Sequence, residues 1–279
     1  MARAMDGSGM ERVKKPLQLA GHERAGNSEV LEFADATVDS RDAKRRLGDA
    51  AEIEYSQTRV INAAPAVLER MRIVAGRTDE IGNAYKLLRT HVLQRLVAKG
   101  WQTVAVVSPA AGEGKTLTAI NLALALGSTR SHTALLVDLD WRQPSVHTYF
   151  GYEPEFDVYD YLRGECGVGD ALVNPGLSRF CFLPCKRPVA DASELLGSLS
   201  GFVGELKGRY ANRIVLFDLP PLLATDDALT FLPFVDGVLL VVEEGRTKRE
   251  DVQRSLELIG EDKLLGSVIN KSWHKLAKY

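Results

Sequence analysis

A valine-rich apolar run, Trp101 to Val107, gives way to Ser108-Pro-Ala-Ala-Gly112-Glu113-Gly114-Lys115-Thr116 and then to a second apolar stretch reaching Leu126. A strand that turns through glycines into a helix leaves backbone N–H groups facing outward at the helix start, and glycine lets that backbone approach an anion closely. A lysine in such a turn reaches phosphate oxygens, and the threonine hydroxyl beside it can hold Mg2+. The pattern G-x-x-x-x-G-K-[ST] has glycine where this chain has Pro109, so the match lacks its first glycine. A Gly-rich turn with an adventitious Lys-Thr is the bland alternative.

The flanking sequence decides between the two. Trp101 to Ser108 fills with valine as a strand does, and Lys115 to Leu126 is apolar nearly all round, as expected of a helix beside a central sheet. Thr133 to Val137 is a second apolar run and ends in Asp138-Leu-Asp140. Arg213 to Phe217 is a third and ends in Asp218-Leu-Pro220-Pro221. Open α/β sheets bind ligands beyond the carboxyl ends of their strands, so Asp138 or Asp140, together with Asp218, is expected to face the phosphates and a metal. An Asp-rich turn at a strand end is the plain alternative for each of these aspartates taken singly.

Further strands are expected at Ser178 to Leu183, Asp236 to Glu243 and Leu264 to Asn270, with one or two helices over Ser193 to Tyr210. Thr247-Lys-Arg-Glu250 has the form of a capping box opening a helix with Val252, Leu256 and Ile259 on one face. Thr78 to Leu96 reads as a helix that buries Ile81, Leu88, Val92 and Leu96 and turns Asn83, Lys86 and Arg89 to another face. The aromatic residues from Tyr149 to Tyr161 read mostly as local core. Strands alternating with helices at this spacing predict an α/β fold with a mostly parallel sheet and helices on both faces, over residues 78–279. Residues 1–77 are expected to form a flexible or loosely helical extension, with the Arg41 to Arg46 charge run solvated.

Composition adds exclusions. Thirty-five basic against 37 acidic residues leave a formal charge of −2, which gives no global attraction to nucleic acid or an anionic membrane. Cys166, Cys181 and Cys185 have neither a zinc spacing nor an even disulfide count and read as reduced thiols, which points to the cytoplasm. The most apolar runs, such as Val238 to Val242, are too short to cross a bilayer.

Ser108 to Thr116, Val137-Asp138-Leu-Asp140-Trp-Arg142 and Leu216-Phe-Asp218-Leu-Pro-Pro221 resemble the Walker A, Walker A′ and Walker B motifs of the bacterial tyrosine kinases of capsule and exopolysaccharide synthesis. The similarity runs from about residue 78 to 270. It implies a P-loop NTPase fold and an autokinase that moves the γ-phosphoryl group of ATP, with Mg2+, to a tyrosine of its own C-terminal tail in trans. It further implies that Gly112, Glu113 and Gly114 wrap the phosphates through their backbone, that Lys115 neutralises them and that Thr116 binds the metal. Asp138 and Asp140 would share the metal and the incoming hydroxyl, either one serving as base, and Asp218 would complete the metal shell. Asn270 would meet the adenine, and Lys86 and Arg89 would lie at a subunit contact in a homo-oligomer. The activator would be a membrane polysaccharide co-polymerase of the chain-length determinant type, which recruits a cytoplasmic protein to the inner face of the membrane.

Three departures from the family pattern stand out. Ala111 replaces a frequent proline, and the contact helix has Asn83, Lys86 and Arg89 where Glu, Arg and Arg are usual, which weakens bidentate pairing. The tail carries one tyrosine, Tyr279, instead of a cluster. Two alternatives therefore accompany the kinase reading. One is an ATP-binding regulatory scaffold of polysaccharide export with little kinase activity. The other is a partitioning or septum-positioning ATPase, whose relatives carry a second lysine where this chain has Ala110.

Overall fold

Once extended, each apolar run sends alternate residues to opposite sides, and here both sides are covered. Ala105 and Val107, Leu135 and Val137, Val215 and Phe217, and Val238 and Leu240 enter one buried cluster. Val104 and Val106, Ala134 and Leu136, Ile214 and Leu216, and Leu239 and Val241 enter the other. That is why these strands read as continuous apolar runs and not as alternating ones.

The computed structural model describes residues 58–177, 179–189, 195–209 and 212–272. The strands are β1 (Arg59–Val60), β2 (Thr103–Val107), β3 (Thr133–Asp138), β4 (Val173–Asn174), β5 (Phe180–Leu183), β6 (Arg213–Asp218), β7 (Gly237–Glu243) and β8 (Leu264–Asn270). The helices are α1 (Pro65–Arg70), α2 (Glu80–Lys99), α3 (Lys115–Gly127), α4 (Val146–Tyr149), α5 (Val158–Leu162), α6 (Val168–Ala171), α7 (Leu196–Gly208), α8 (Asp227–Phe231) and α9 (Arg249–Ile259). The strands form one sheet in the order β1-β4-β5-β3-β6-β2-β7-β8. All neighbouring pairs are parallel except β4 with β5. Phe202 and Leu206 of α7 and Ile259 of α9 cover one face. Val92 and Leu96 of α2 and the apolar side chains of α3 cover the other.

The order positions the site. β6 lies between β2 and β3, so the chain leaving β2 through the glycine turn returns to β3 one strand away. Asp138 pairs in register with Asp218, and Asp218 with Val106, so both aspartates stand beside the turn that follows β2. The Leu222 N–H donates to the Ser108 carbonyl (2.8 Å), tying the turn after β6 to the start of the glycine segment.

Three local expectations are corrected. The folded region begins before Thr78: β1 pairs with β4, and Ile73 and Val74 are buried. A two-residue strand has no periodicity to read, which is why the sequence pattern missed it. Residues 1–57, expected as an extension, lie outside the described residues. Ile81 is 52% exposed and does not share the buried face of Val92 and Leu96. α9 starts at Arg249 with Lys248 as its N-cap and no side-chain cap, because the Thr247 hydroxyl is engaged elsewhere. The aromatic segment is core as expected, with Phe150 stacked on Phe182 at 4.9 Å and Trp141 edge-on to Tyr159, while Phe156 remains exposed. No disulfide joins the three cysteines.

Asp236, just before β7, ties the entry of the central strands together. Its carboxylate accepts from the Gln102 and Thr103 N–H groups (2.9 Å each) and from Lys207 Nζ (2.9 Å). Its own N–H donates to Thr103 Oγ1 (2.9 Å). Burial opposes the charge, but the Gln102 amide, Lys207 and Thr103 outweigh it and hold the carboxyl below its ordinary value of 3.8. A depressed folded pKa gives stability that is present above the unfolded value and lost as pH falls through the folded one. Asp236→Ala is expected to lower unfolding free energy by about 2 kcal/mol at neutral pH. In urea titrations the gap from the parent chain should narrow below about pH 4.

Candidate nucleotide site

The glycine turn takes its shape from two left-handed residues, Gly112 (φ 81°) and Gly114 (φ 88°). A Cβ on Gly114 would also crowd the side-chain amide of Asn270, which would have to shift. Gly114 is the N-cap residue of α3 and offers no side-chain cap, which leaves the first helical N–H groups available to an anion. The Asn270 amide donates to the Glu113 carbonyl (2.9 Å), and Lys271 Nζ donates to the Gly112 carbonyl (2.8 Å). Lys271 Nζ also pairs with Glu243 (2.9 Å), which in turn holds Arg246 (3.1 Å).

Lys115 is 6% exposed and lies between two carboxylates, Asp140 Oδ2 at 3.0 Å and Asp218 Oδ1 at 2.8 Å. The Thr116 hydroxyl donates to Asp218 Oδ2 (2.6 Å). Burial works against the Lys115 ammonium, but Asp218 and then Asp140 overcome it and raise its pKa. Burial raises the pKa of Asp218, while Lys115 and the Thr116 hydroxyl act against that rise. Asp138 is pushed up to about 8, first by burial and then by the Asp218 carboxylate. Its Oδ2 accepts the Ser145 and Val146 N–H groups (2.9 Å each) and its Oδ1 accepts the Asp140 N–H (3.2 Å). Asp140 Oδ1 accepts the Gln143 N–H (3.0 Å), so the backbone after β3 folds back over both aspartates. Arg142 then bridges to Asp227 of α8 through Nε (2.7 Å) and a second nitrogen (3.3 Å), joining the loops that follow β3 and β6.

The structure thus brings Gly112, Glu113, Gly114, Lys115, Thr116, Asp138, Asp140, Asp218 and Asn270 to one end of the sheet. Among the described residues, no three His, Cys, Asp or Glu side chains converge as a ready cage for a metal ion. Mg2+ does not require one, because it usually keeps several waters and takes one or two carboxylates together with substrate phosphates. The all-oxygen pair of Thr116 and Asp218 beside an open helix N-terminus fits that mode. Lys86 and Arg89 lie apart from the site. Lys86 donates to Asn83 (3.3 Å), and Arg89 reaches Ser128 Oγ (3.1 Å) at the end of α3. Tyr279 lies outside the described residues.

Sequence reasoning passed over Thr247, Asp227 and Lys271. Thr247 did carry a signal, read as a helix cap, but its hydroxyl donates to Glu113 Oε1 (2.6 Å) across the fold. Asp227 and Lys271 gave no local sign, because their partners Arg142 and Gly112 are far away in sequence.

A glycine loop between a parallel strand and a helix, a buried lysine and strand-end aspartates define a P-loop nucleotide-binding protein. Residues 104–273 match the CobQ/CobB/MinD/ParA nucleotide binding domain. The tyrosine-protein kinase YwqD of Bacillus subtilis (strain 168) is 31% identical over 199 residues, 70% of this chain and 82% of that protein. The succinoglycan biosynthesis transport protein ExoP of Rhizobium meliloti (strain 1021) is 31% identical over 67% of this chain, which spans 24% of ExoP. The crystal structure of the chimerical protein CapA2B2 superposes with a TM-score of 0.67 at 25% identity, covering 76% of this chain and 92% of that one. The chain belongs to the CobQ/CobB/MinD/ParA nucleotide-binding family and, within it, to the bacterial tyrosine kinases of capsule and exopolysaccharide synthesis. No helix among the described residues is long and apolar enough to cross a membrane.

Gly114→Ala tests the loop. It forces an L-residue into a left-handed conformation and into Asn270, and it is expected to weaken nucleotide binding about tenfold or more. Titration with a fluorescent ATP analogue measures this, and unchanged affinity would place the nucleotide elsewhere.

Proposed function

We propose that this chain is an ATP-dependent protein-tyrosine autokinase that regulates exopolysaccharide or capsule polymerisation and export. The observation that carries this is the convergence of Lys115, Thr116, Asp140 and Asp218 at the glycine loop in a chain 31% identical to a tyrosine-protein kinase over 70% of its length. The likeness to ExoP, a succinoglycan biosynthesis transport protein, supports the polysaccharide context.

Phosphoryl transfer asks for positioning and charge neutralisation more than for covalent help. The loop N–H groups and the start of α3 would hold the phosphates, and Lys115 would move from its carboxylates to the β and γ oxygens. Mg2+, when bound at Thr116 and Asp218, would offset the charge on the phosphates. In the reaction the bond from the γ-phosphorus to its bridging oxygen breaks, a bond from phosphorus to the phenolic oxygen forms, and ADP leaves. The phenolic proton passes to Asp140 or, once it is ionised, to Asp138, and backbone contacts hold both in place. Asn270 would meet the adenine in addition to bracing the loop.

The proposed acceptor is Tyr279, in a neighbouring copy of the chain, with Lys86 and Arg89 at the contact between copies. Tyr159 and Tyr161 are poorer acceptors. Tyr159 packs edge-on to Trp141, and the Tyr161 hydroxyl donates to Glu205, its pKa pushed up to about 12 by burial and by that bond. A membrane co-polymerase of the chain-length determinant type would recruit this cytoplasmic protein and activate it. The contact helix, which has Asn83 and Lys86 where Glu and Arg are usual, favours a second reading, an ATP-bound scaffold that regulates export with little transfer. Ala110, standing where partitioning ATPases carry a second lysine, speaks against that third class.

Incubation with Mg-ATP is expected to add about 80 Da per phosphate, located by peptide mapping to Tyr279. Lys115→Ala should reduce the rate at least about a hundredfold. A chain that gains no phosphotyrosine, even with the cytoplasmic segment of a co-polymerase present, would leave the scaffold reading.

A further inference from the structure

Glu113 is the one long side chain between Ser108 and Lys115, and it is 2% exposed. Buried carboxylates are normally paired with a cation, but the partners here are a hydroxyl and an amide. Glu113 Oε1 accepts from Thr247 Oγ1 at 2.6 Å, and Oε2 accepts the Ala110 N–H at 3.3 Å. The carboxylate therefore crosses back beneath its own loop and ties that loop's first half to its second.

Thr247 is itself fixed. Its hydroxyl accepts the Glu243 N–H (2.8 Å), and its N–H donates to the Glu243 carbonyl (3.1 Å), so the turn leaving β7 presents the hydroxyl to Glu113 in one orientation. From the other side, Asn270 at the end of β8 holds the Glu113 carbonyl (2.9 Å). A negative charge under a loop that receives phosphates repels the ligand, so its presence there calls for an offsetting gain. Ordering a flexible glycine loop in advance supplies one, because the loop no longer loses that freedom on binding.

We propose that Thr247 and the Glu113 side chain are a positioning pair: Thr247 orients the carboxylate, and the carboxylate holds the Ala110 N–H so that the loop keeps its phosphate-binding shape before a nucleotide arrives. The inference rests on the nucleotide-site reading for its effect on affinity, and on the geometry alone for its effect on the loop. It also accounts for the missing helix cap, since the hydroxyl that would cap α9 is committed to the loop.

Calorimetric titration of the full chain with Mg-ATP, paired with amide hydrogen exchange over residues 109–114 in the nucleotide-free protein, tests this. Thr247→Val keeps the shape and removes the hydroxyl. It is expected to weaken Mg-ATP about tenfold, the loss of one hydrogen bond to a charged group, and to speed loop exchange. In kinase assays KM for ATP should rise with kcat held. Thr247→Ser should restore both affinity and exchange, and Thr247→Val should add nothing in a Glu113→Ala background. Unchanged affinity and exchange in Thr247→Val would overturn the proposal. So would a loss that Thr247→Ser does not restore, or a lowered melting temperature with loop exchange and affinity intact. If the parent chain bound no Mg-ATP while loop exchange still responded as expected, the nucleotide reading would fall and the brace would stand.

Discussion

The site depends on a charge imbalance concentrated at one end of the sheet. Asp138 and Asp218 are fully buried, Asp140 is nearly so, and among the described residues Lys115 is the one ammonium that pairs with them. Buried carboxylates hold together when cations or N–H groups compensate them or when one of them keeps its proton, as the raised pKa of Asp138 allows. The chain meets this with Lys115 for Asp140 and Asp218, the Thr116 hydroxyl for Asp218, and the backbone of 140–146 for Asp138 and Asp140. The rest of the fold makes the concentration possible: β6 between β2 and β3 brings two strand-end aspartates into register beside a helix whose open N-terminus carries positive potential.

The same sheet order explains why distant loops close over the glycine segment. β7 and β8 continue the sheet past β2, so the residues at their carboxyl ends arrive on the loop's free side. Glu243, Thr247, Asn270 and Lys271 all come from there. On the other side the loops after β3 and β6 are joined by Arg142 and Asp227. The phosphate loop thus sits between two sets of contacts that share no residues.

How much of this was legible in the sequence follows from the range of each interaction. The strands were legible because a strand buried on both faces must be apolar throughout, and each aspartate was legible because it interrupts such a run at its carboxyl end. Lys115 and Thr116 were legible because their spacing to the glycines is local. The N-terminal limit of the fold was not, since β1 offers two residues and draws its order from β4. Ile81 was misplaced because helical spacing alone does not say how far the covering surface extends, and the Ile81 side chain lies outside it. Thr247 shows a different failure. Its local pattern was read correctly as chemistry that can cap a helix, but a carboxylate contributed from far along the chain took the hydroxyl first.

The charge imbalance also bears on how the two ligands of such a site depend on each other. In this state Lys115 neutralises Asp140 and Asp218, and a lysine cannot do so and reach a phosphate at once. Releasing it leaves carboxylates that are buried and short of a cation, a situation that costs about 3–5 kcal/mol when one partner of a buried pair is removed. A nucleotide arriving alone would bear that cost and add its own negative charge. A divalent cation arriving alone would meet a site whose carboxylates already have their ammonium. Only together would each remove the obstacle facing the other, because the phosphates would draw Lys115 away and a cation would take its place at Asp218. The buried lysine would therefore couple the two binding events, through the carboxylates it neutralises in this state.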